Sequence, residues 1–100
     1  MKDVSLHAVY LERDGATIEL LHFASPGNTG ESSSWRPLNQ TGLTHLSFQV
    51  EDLDLVIGEV VRCGGRVHDD TRIHPSADVA AIFCTDPDGT LIELVRRSDG

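Results

Sequence analysis

Asp14-Gly15-Ala16-Thr17-Ile18-Glu19-Leu20-Leu21 and Asp88-Gly89-Thr90-Leu91-Ile92-Glu93-Leu94-Val95 are one phrase written twice, 74 residues apart. Each copy opens on Asp-Gly, a turn signal, and runs into β-branched and leucine residues. Each carries one glutamate in the middle of that apolar run. A carboxylate inside a strand is costly to bury unless it is paired, hydrogen-bonded or bound to a cation. Two of them at the same offset after the same turn indicate a duplicated module with a carboxylate at one structural position in each copy.

Working outward, residues 4–10 (Val-Ser-Leu-His-Ala-Val-Tyr) and 16–23 read as strands joined at Asp14-Gly15. Counting back from the turn places Tyr10 across from Glu19 on one face of the hairpin. The other face carries Val9, Leu11, Ile18 and Leu20 and is apolar enough to need a cover. Alternation puts His7 and His22 on that second face, away from Glu19.

Residues 25–42 are rich in Ser, Gly, Pro and Asn and form a long connector whose one bulky residue, Trp35, reads as an anchor. Residues 43–50 return to alternation. Leu43, His45, Ser47 and Gln49 share one face, and Thr44, Leu46, Phe48 and Val50 the other. Asp52 is placed as an N-cap, and Leu53, Val56, Ile57, Val60 and Val61 follow at helical spacing up to Cys63-Gly64-Gly65. A short strand is expected at 66–68, a longer one at 78–85, and another at 90–96 after Asp86-Pro87-Asp88-Gly89.

The expected fold is therefore α+β and a single domain over 1–100. Residues 1–24 are a hairpin from an incomplete first module, 25–42 the connector, and 43–100 a complete β-α-β-β-β module with its helix at about 52–63. The leading strand, the helix and the strand after it have no counterpart in the first copy.

A net charge of −8 with only eight Lys and Arg argues against nucleic acid and anionic membrane surfaces as partners. No apolar run approaches the ~20 residues of a membrane helix, and residues 1–10 lack the apolar core of a signal peptide. Cys63 and Cys84 have no Cys-x-x-Cys spacing and read as small core residues of a cytoplasmic protein. The acidic residues Glu51, Asp52 and Asp54 suit helix capping, and Asp86 and Asp88 suit turn formation. His68 and His74 fall in a region that reads as loop and surface.

Glu19, His45 and Glu93 each fall in an expected strand, on a face otherwise lined by small or polar residues. Imidazole with carboxylates is a nitrogen and oxygen donor set suited to Zn²⁺, Ni²⁺, Mn²⁺ or Fe²⁺. Three protein ligands with open positions would make a catalytic rather than a structural site.

Three stretches resemble the vicinal oxygen chelate superfamily, which includes glyoxalase I, methylmalonyl-CoA epimerase, extradiol dioxygenases and the bleomycin and fosfomycin resistance proteins. They are Ala16-Thr17-Ile18-Glu19-Leu20, then residues 42–54 with His45 (Gly-Leu-Thr-His-Leu-Ser-Phe-Gln-Val-Glu-Asp-Leu-Asp), and Asp86-Pro87-Asp88-Gly89-Thr90-Leu91-Ile92-Glu93-Leu94. The resemblance implies a cupped sheet and a divalent metal at Glu19, His45 and Glu93, with Glu19 or Glu93 able to serve as a base. Tyr10, Ser47 and Gln49 are candidate substrate contacts. The family pattern has two full modules, the first strand supplying a further ligand that this chain does not show.

Two functions follow as expectations. One is a metal-dependent lyase, isomerase or dioxygenase acting on a small oxygen-chelating substrate. The other is a sequestering protein that holds a small molecule such as an antibiotic without catalysis; a truncated, inactive relative is a further alternative. The uncovered face of the hairpin leads us to expect a homodimer.

Overall fold

The computed structural model describes residues 3–27 and 37–97, which group into two compact units, Met1–Gly30 and Glu31–Gly100. Residues 28–36, which include Trp35 and half of the connector, lie outside the described residues.

The first unit is a hairpin of β1 (Ser5–Arg13) and β2 (Ala16–Ser25), antiparallel, with Arg13 opposite Ala16. Asp14 and Gly15 both take positive φ, 53° and 82°, the geometry of a type I′ turn, whose twist matches that of its strands. That turn fixes the register, and Tyr10 stands opposite Glu19. Val9, Leu11, Ile18 and Leu20 share the other face, where Leu11 and Leu20 are each 51% exposed.

The second unit runs β3 (Leu46–Val50), α1 (Leu53–Arg62), β4 (Arg66–Ser76), β5 (Val79–Thr85) and β6 (Leu91–Arg97). The sheet order is β3-β6-β5-β4, with β3 and β6 parallel and the other neighbours antiparallel. This is the expected β-α-β-β-β unit. No helix among the described residues is long and apolar enough to cross a membrane.

The helix begins where Asp52 accepts a hydrogen bond from the Leu55 amide (3.1 Å) and so satisfies one of the exposed first-turn donors. It stops in a Schellman motif. The Gly65 amide donates to the Val60 carbonyl (2.9 Å) and Gly64 to Val61 (3.1 Å), with Gly64 at φ 91°. Its apolar stripe (Leu53, Val56, Ile57, Val60) packs on Ala80, Ile82 and Cys84 of β5 and on Ile92 and Leu94 of β6. Those strand positions all have even numbers, so one face of the sheet is core and the odd-numbered face points away from α1.

Several local expectations need correction. β3 starts at Leu46, so His45 immediately precedes the strand rather than lying within it. β4 is 11 residues long, not three, and carries both His68 and His74. Charged residues and Pro75 conceal its alternation. Cys84 is a core residue, but Cys63 is exposed at the helix C-cap. The two Asp-Gly turns also differ. At the second, the Asp86 carboxylate accepts from the amides of Asp88 (3.0 Å) and Thr90 (2.8 Å), and only Gly89 takes positive φ.

One glycine inside α1 and one just past its end give opposite signs in a denaturation experiment. A Cβ at Gly58 meets nothing within 4 Å, so Gly58→Ala should stabilise by up to about 1 kcal/mol. A Cβ at Gly65 would lie 2.7 Å from both the Thr85 carbonyl and a Val60 methyl, so Gly65→Ala should cost about 1–3 kcal/mol.

Candidate functional site

Because Leu94 and Ile92 pack under the helix, Glu93 between them projects from the opposite face of β6. The strand ladders then define a row across that face. Ser47 pairs with Glu93, Glu93 with Phe83, and Phe83 with His68. Side-chain contacts support the same facing. The Ser47 hydroxyl donates to Glu93 Oε1 at 2.9 Å, and the His45 ring meets Phe83 edge-on, with centroids 5.2 Å apart at 82°. His45, although outside β3, is thus held beside the ring that stands directly across from Glu93.

The ring nitrogen Nδ1 of His45 is engaged by Thr44 Oγ1 at 2.8 Å. A hydrogen bond at one imidazole nitrogen sets the tautomer and orientation of the other, the usual arrangement behind a metal-binding or proton-handling histidine. Glu93 is half-buried, while His45, Ser47 and Gln49 are exposed. Gln49 pairs with Val95, one step along the same face, next to Ala81 and then Ile73. One row of the face is thus Ser47, Glu93, Phe83 and His68, and the next is Gln49 followed by the apolar Val95, Ala81 and Ile73.

The first unit repeats part of this pattern. Tyr10 stands opposite Glu19 and donates a hydrogen bond to its carboxylate. That bond, and next the carboxylate charge, raise the phenol above its ordinary value of 10.0. When the two copies are aligned on their glutamates, Tyr10 occupies the position of Phe83, and Val9, Leu11, Ile18 and Leu20 those of Ile82, Cys84, Ile92 and Leu94. Each glutamate consequently has an aromatic residue opposite it and takes a hydroxyl hydrogen bond from a residue on an adjacent strand.

His7 and His22 pair with each other on the hairpin face turned from Glu19, as alternation requires. The Cys84 thiol is raised by burial and then by the Asp86 charge, which leaves it an unreactive core group. His68 is the residue that sequence reasoning passed over. It is half-buried, its Nε2 lies 3.3 Å from Thr85 Oγ1, and it shares the row of Glu93. The signal was Val67, an apolar residue between Arg66 and His68 that turns inward and sends His68 to the other face. Among the described residues, no three His, Cys, Asp or Glu side chains gather as a group able to hold a metal ion. Of the three ligands expected from the sequence, the second unit carries His45 and Glu93 on one face, and Glu19 belongs to the first unit.

The model of the Glyoxalase/Bleomycin resistance protein/Dioxygenase superfamily matches residues 1–94. Among solved structures, the fold is similar to that of a glyoxalase family protein from Bacillus cereus, with a TM-score of 0.75 and 21% identity. That similarity covers 94% of this chain and 63% of the Bacillus cereus chain, so this chain spans less than two thirds of that relative's length. A comparison with curated proteins found no match.

Tyr10 is the single tyrosine of the chain, so its ionisation can be followed alone by ultraviolet absorbance. Glu19→Gln removes the charge that opposes the phenolate and weakens the acceptor. The titration midpoint should therefore fall toward the ordinary value of 10.0. An unchanged midpoint would mean that the two side chains do not interact.

Proposed function

The chain belongs to the Glyoxalase/Bleomycin resistance protein/Dioxygenase superfamily, and on that premise we propose that it is a divalent-metal-dependent enzyme acting on a small molecule with two adjacent oxygens. The observation that carries this reading is the oriented pair of His45, engaged by Thr44, and Glu93, engaged by Ser47, on the sheet face opposite α1.

The donor set suits a divalent ion. One imidazole nitrogen and one carboxylate from the second unit, His45 and Glu93, fit Zn²⁺, Ni²⁺, Mn²⁺ or Fe²⁺. When bound, such an ion supplies Lewis-acid stabilisation of charge on paired substrate oxygens. The remaining work falls to the chain itself. Ser47 holds Oε1 of Glu93 and thereby fixes the direction of Oε2. A carboxylate so placed can take a proton from a carbon next to a carbonyl and return it. Phe83 gives the substrate an apolar floor beside Glu93, Ser47 and Gln49 are the proposed substrate contacts of this unit, and Tyr10 is the proposed contact beside Glu19 in the first. A lyase or isomerase step needs only this proton movement, and a dioxygenase step needs Fe²⁺.

The apolar row of Val95, Ala81 and Ile73 supports a second reading, in which the face holds a small molecule without catalysis. Metal stoichiometry separates the two. For the enzyme, one divalent ion per site is expected by calorimetry and elemental analysis. His45→Ala should abolish its binding, and Ser47→Ala should weaken it by about 10- to 100-fold, the usual effect of losing a partner of a ligand. Failure of the wild-type chain to take up any of the four ions would leave sequestration as the standing function.

The exposed apolar face of the hairpin supports association with a second copy, in the cytoplasm as the expected setting. Light scattering at micromolar concentration should give the mass of a dimer, and Leu11→Glu should shift it toward monomer. A wild-type monomer would refute this.

A further inference from the structure

Four residues, Asp69 to Arg72, separate His68 from Ile73 on β4, yet only Ile82 separates their partners Phe83 and Ala81 on β5. β4 therefore bulges away from the ladder after His68, and Thr71 fills the gap. Its hydroxyl accepts from the Phe83 amide (2.9 Å) and donates to the His68 carbonyl (2.6 Å). Those two backbone groups are the ones that a hydrogen-bonded antiparallel pair of Phe83 and His68 would join directly. A side chain is thus inserted into the ladder at one point. Bulges of this kind re-aim side chains and concentrate beside functional sites.

The side chain set by this insertion is Phe83. Its amide is directed toward β4, so its pairing with Glu93 on β6 is of the non-hydrogen-bonded kind, in which opposing side chains stand closer. On the same face its ring meets the His45 ring at a centroid distance of 5.2 Å and an angle of 82°. His45 lies outside β3, so the register of the strand does not by itself fix its ring. Thr44 at Nδ1 and the ring of Phe83 do so. Thr71 is half-buried, and its proton and one lone pair are spent on backbone groups, so it acts on this face through Phe83.

We propose that Thr71 is a positioning residue for His45: by fixing the backbone of Phe83 from the outer strand, it seats the ring on which the imidazole rests, and so sets where Nε2 of His45 is presented. The consequence for ion uptake rests on the metal-dependent reading above; the placement of the imidazole rests on the bulge and the ring contact alone.

NMR of the full chain reads the placement without any ion. The His45 ring signals, identified by their loss in His45→Ala, are displaced by the ring current of Phe83, and Phe83→Leu gives their undisplaced positions. Thr71→Val, which removes the hydroxyl and keeps the shape, should move them toward those positions. Thr71→Ser, which restores the hydroxyl, should leave them near the wild-type ones. In calorimetric titrations with Zn²⁺ alone, Thr71→Val should weaken uptake by about 3- to 30-fold, the range in which residues away from a site alter it. Thr71→Ser should recover most of that loss, and Thr71→Val added to Phe83→Leu should cost nothing further. Val56→Ala, which loosens the core beneath α1 instead, should leave both readouts unchanged. Independently of any variant's folding, the wild-type chain should show a slowly exchanging Phe83 amide and Overhauser effects between the His45 and Phe83 rings. Unmoved His45 signals in Thr71→Val, an effect that persists in Phe83→Leu or is reproduced by Val56→Ala, or a wild-type chain lacking the slow amide or the ring contact would overturn the proposal. His45 signals that move as expected in a chain that takes up none of Zn²⁺, Ni²⁺, Mn²⁺ and Fe²⁺ would support the placement and overturn the metal-dependent reading instead.

Discussion

Leu94 is buried beneath α1, and a strand turns successive side chains to opposite sides; these two facts together put Glu93 where it stands. A slip of one residue along β6 would drive the carboxylate into a core of Ile82, Cys84 and Leu53 and bring leucine and isoleucine out to water. Several buried apolar side chains oppose that slip, each contributing roughly 1.5–3 kcal/mol of burial. The position of the polar face is therefore set from behind, by packing that never touches a ligand. The Schellman stop at Gly64 and the close approach of Gly65 to Thr85 hold the helix on that packing.

Orientation within the face comes from hydroxyl groups. Ser47 reaches Glu93 from a strand 46 residues away in sequence, Thr44 engages the adjacent His45, and in the hairpin Tyr10 reaches Glu19. None of these side chains is deeply buried, so the cost of desolvating the carboxylates stays small while their directions are constrained. Such an arrangement keeps anionic groups available for chemistry without a buried ion pair to stabilise them.

Short-range signals were legible in the sequence. Asp14-Gly15 specified a two-residue turn and so the Tyr10–Glu19 pairing, and the spacing from Leu53 to Val61 gave the helix to within a residue of its observed ends. The repeated glutamate marked the outward position in both copies. Less legible was whatever depended on distant partners. The parallel pairing of β3 with β6, which brings Ser47 to Glu93, has no local signature. Asp69, Asp70 and Pro75 break the alternation of β4, so the sequence shows only its first three residues as strand and hides the inward turn of Val67 that places His68 on the face of Glu93. The turn at Asp86 differs from its twin in that Asp88 does not take the positive φ of Asp14, and the Asp86 carboxylate accepts from the amides of Asp88 and Thr90 instead.

The irregularity of β4 has a further effect on the life of the chain before it is folded. β4 is the outermost strand of its sheet order, and at 11 residues it is the longest strand described. A straight, apolar strand in that place would template pairing with other chains and seed aggregation. Here a bulge follows His68, charges occupy Asp69, Asp70 and Arg72, and Pro75 contributes no amide proton. The same interruption that aims one side chain across the sheet thus makes its outer border a poor template for intermolecular β-sheet, and helps keep the protein dispersed while it is being made.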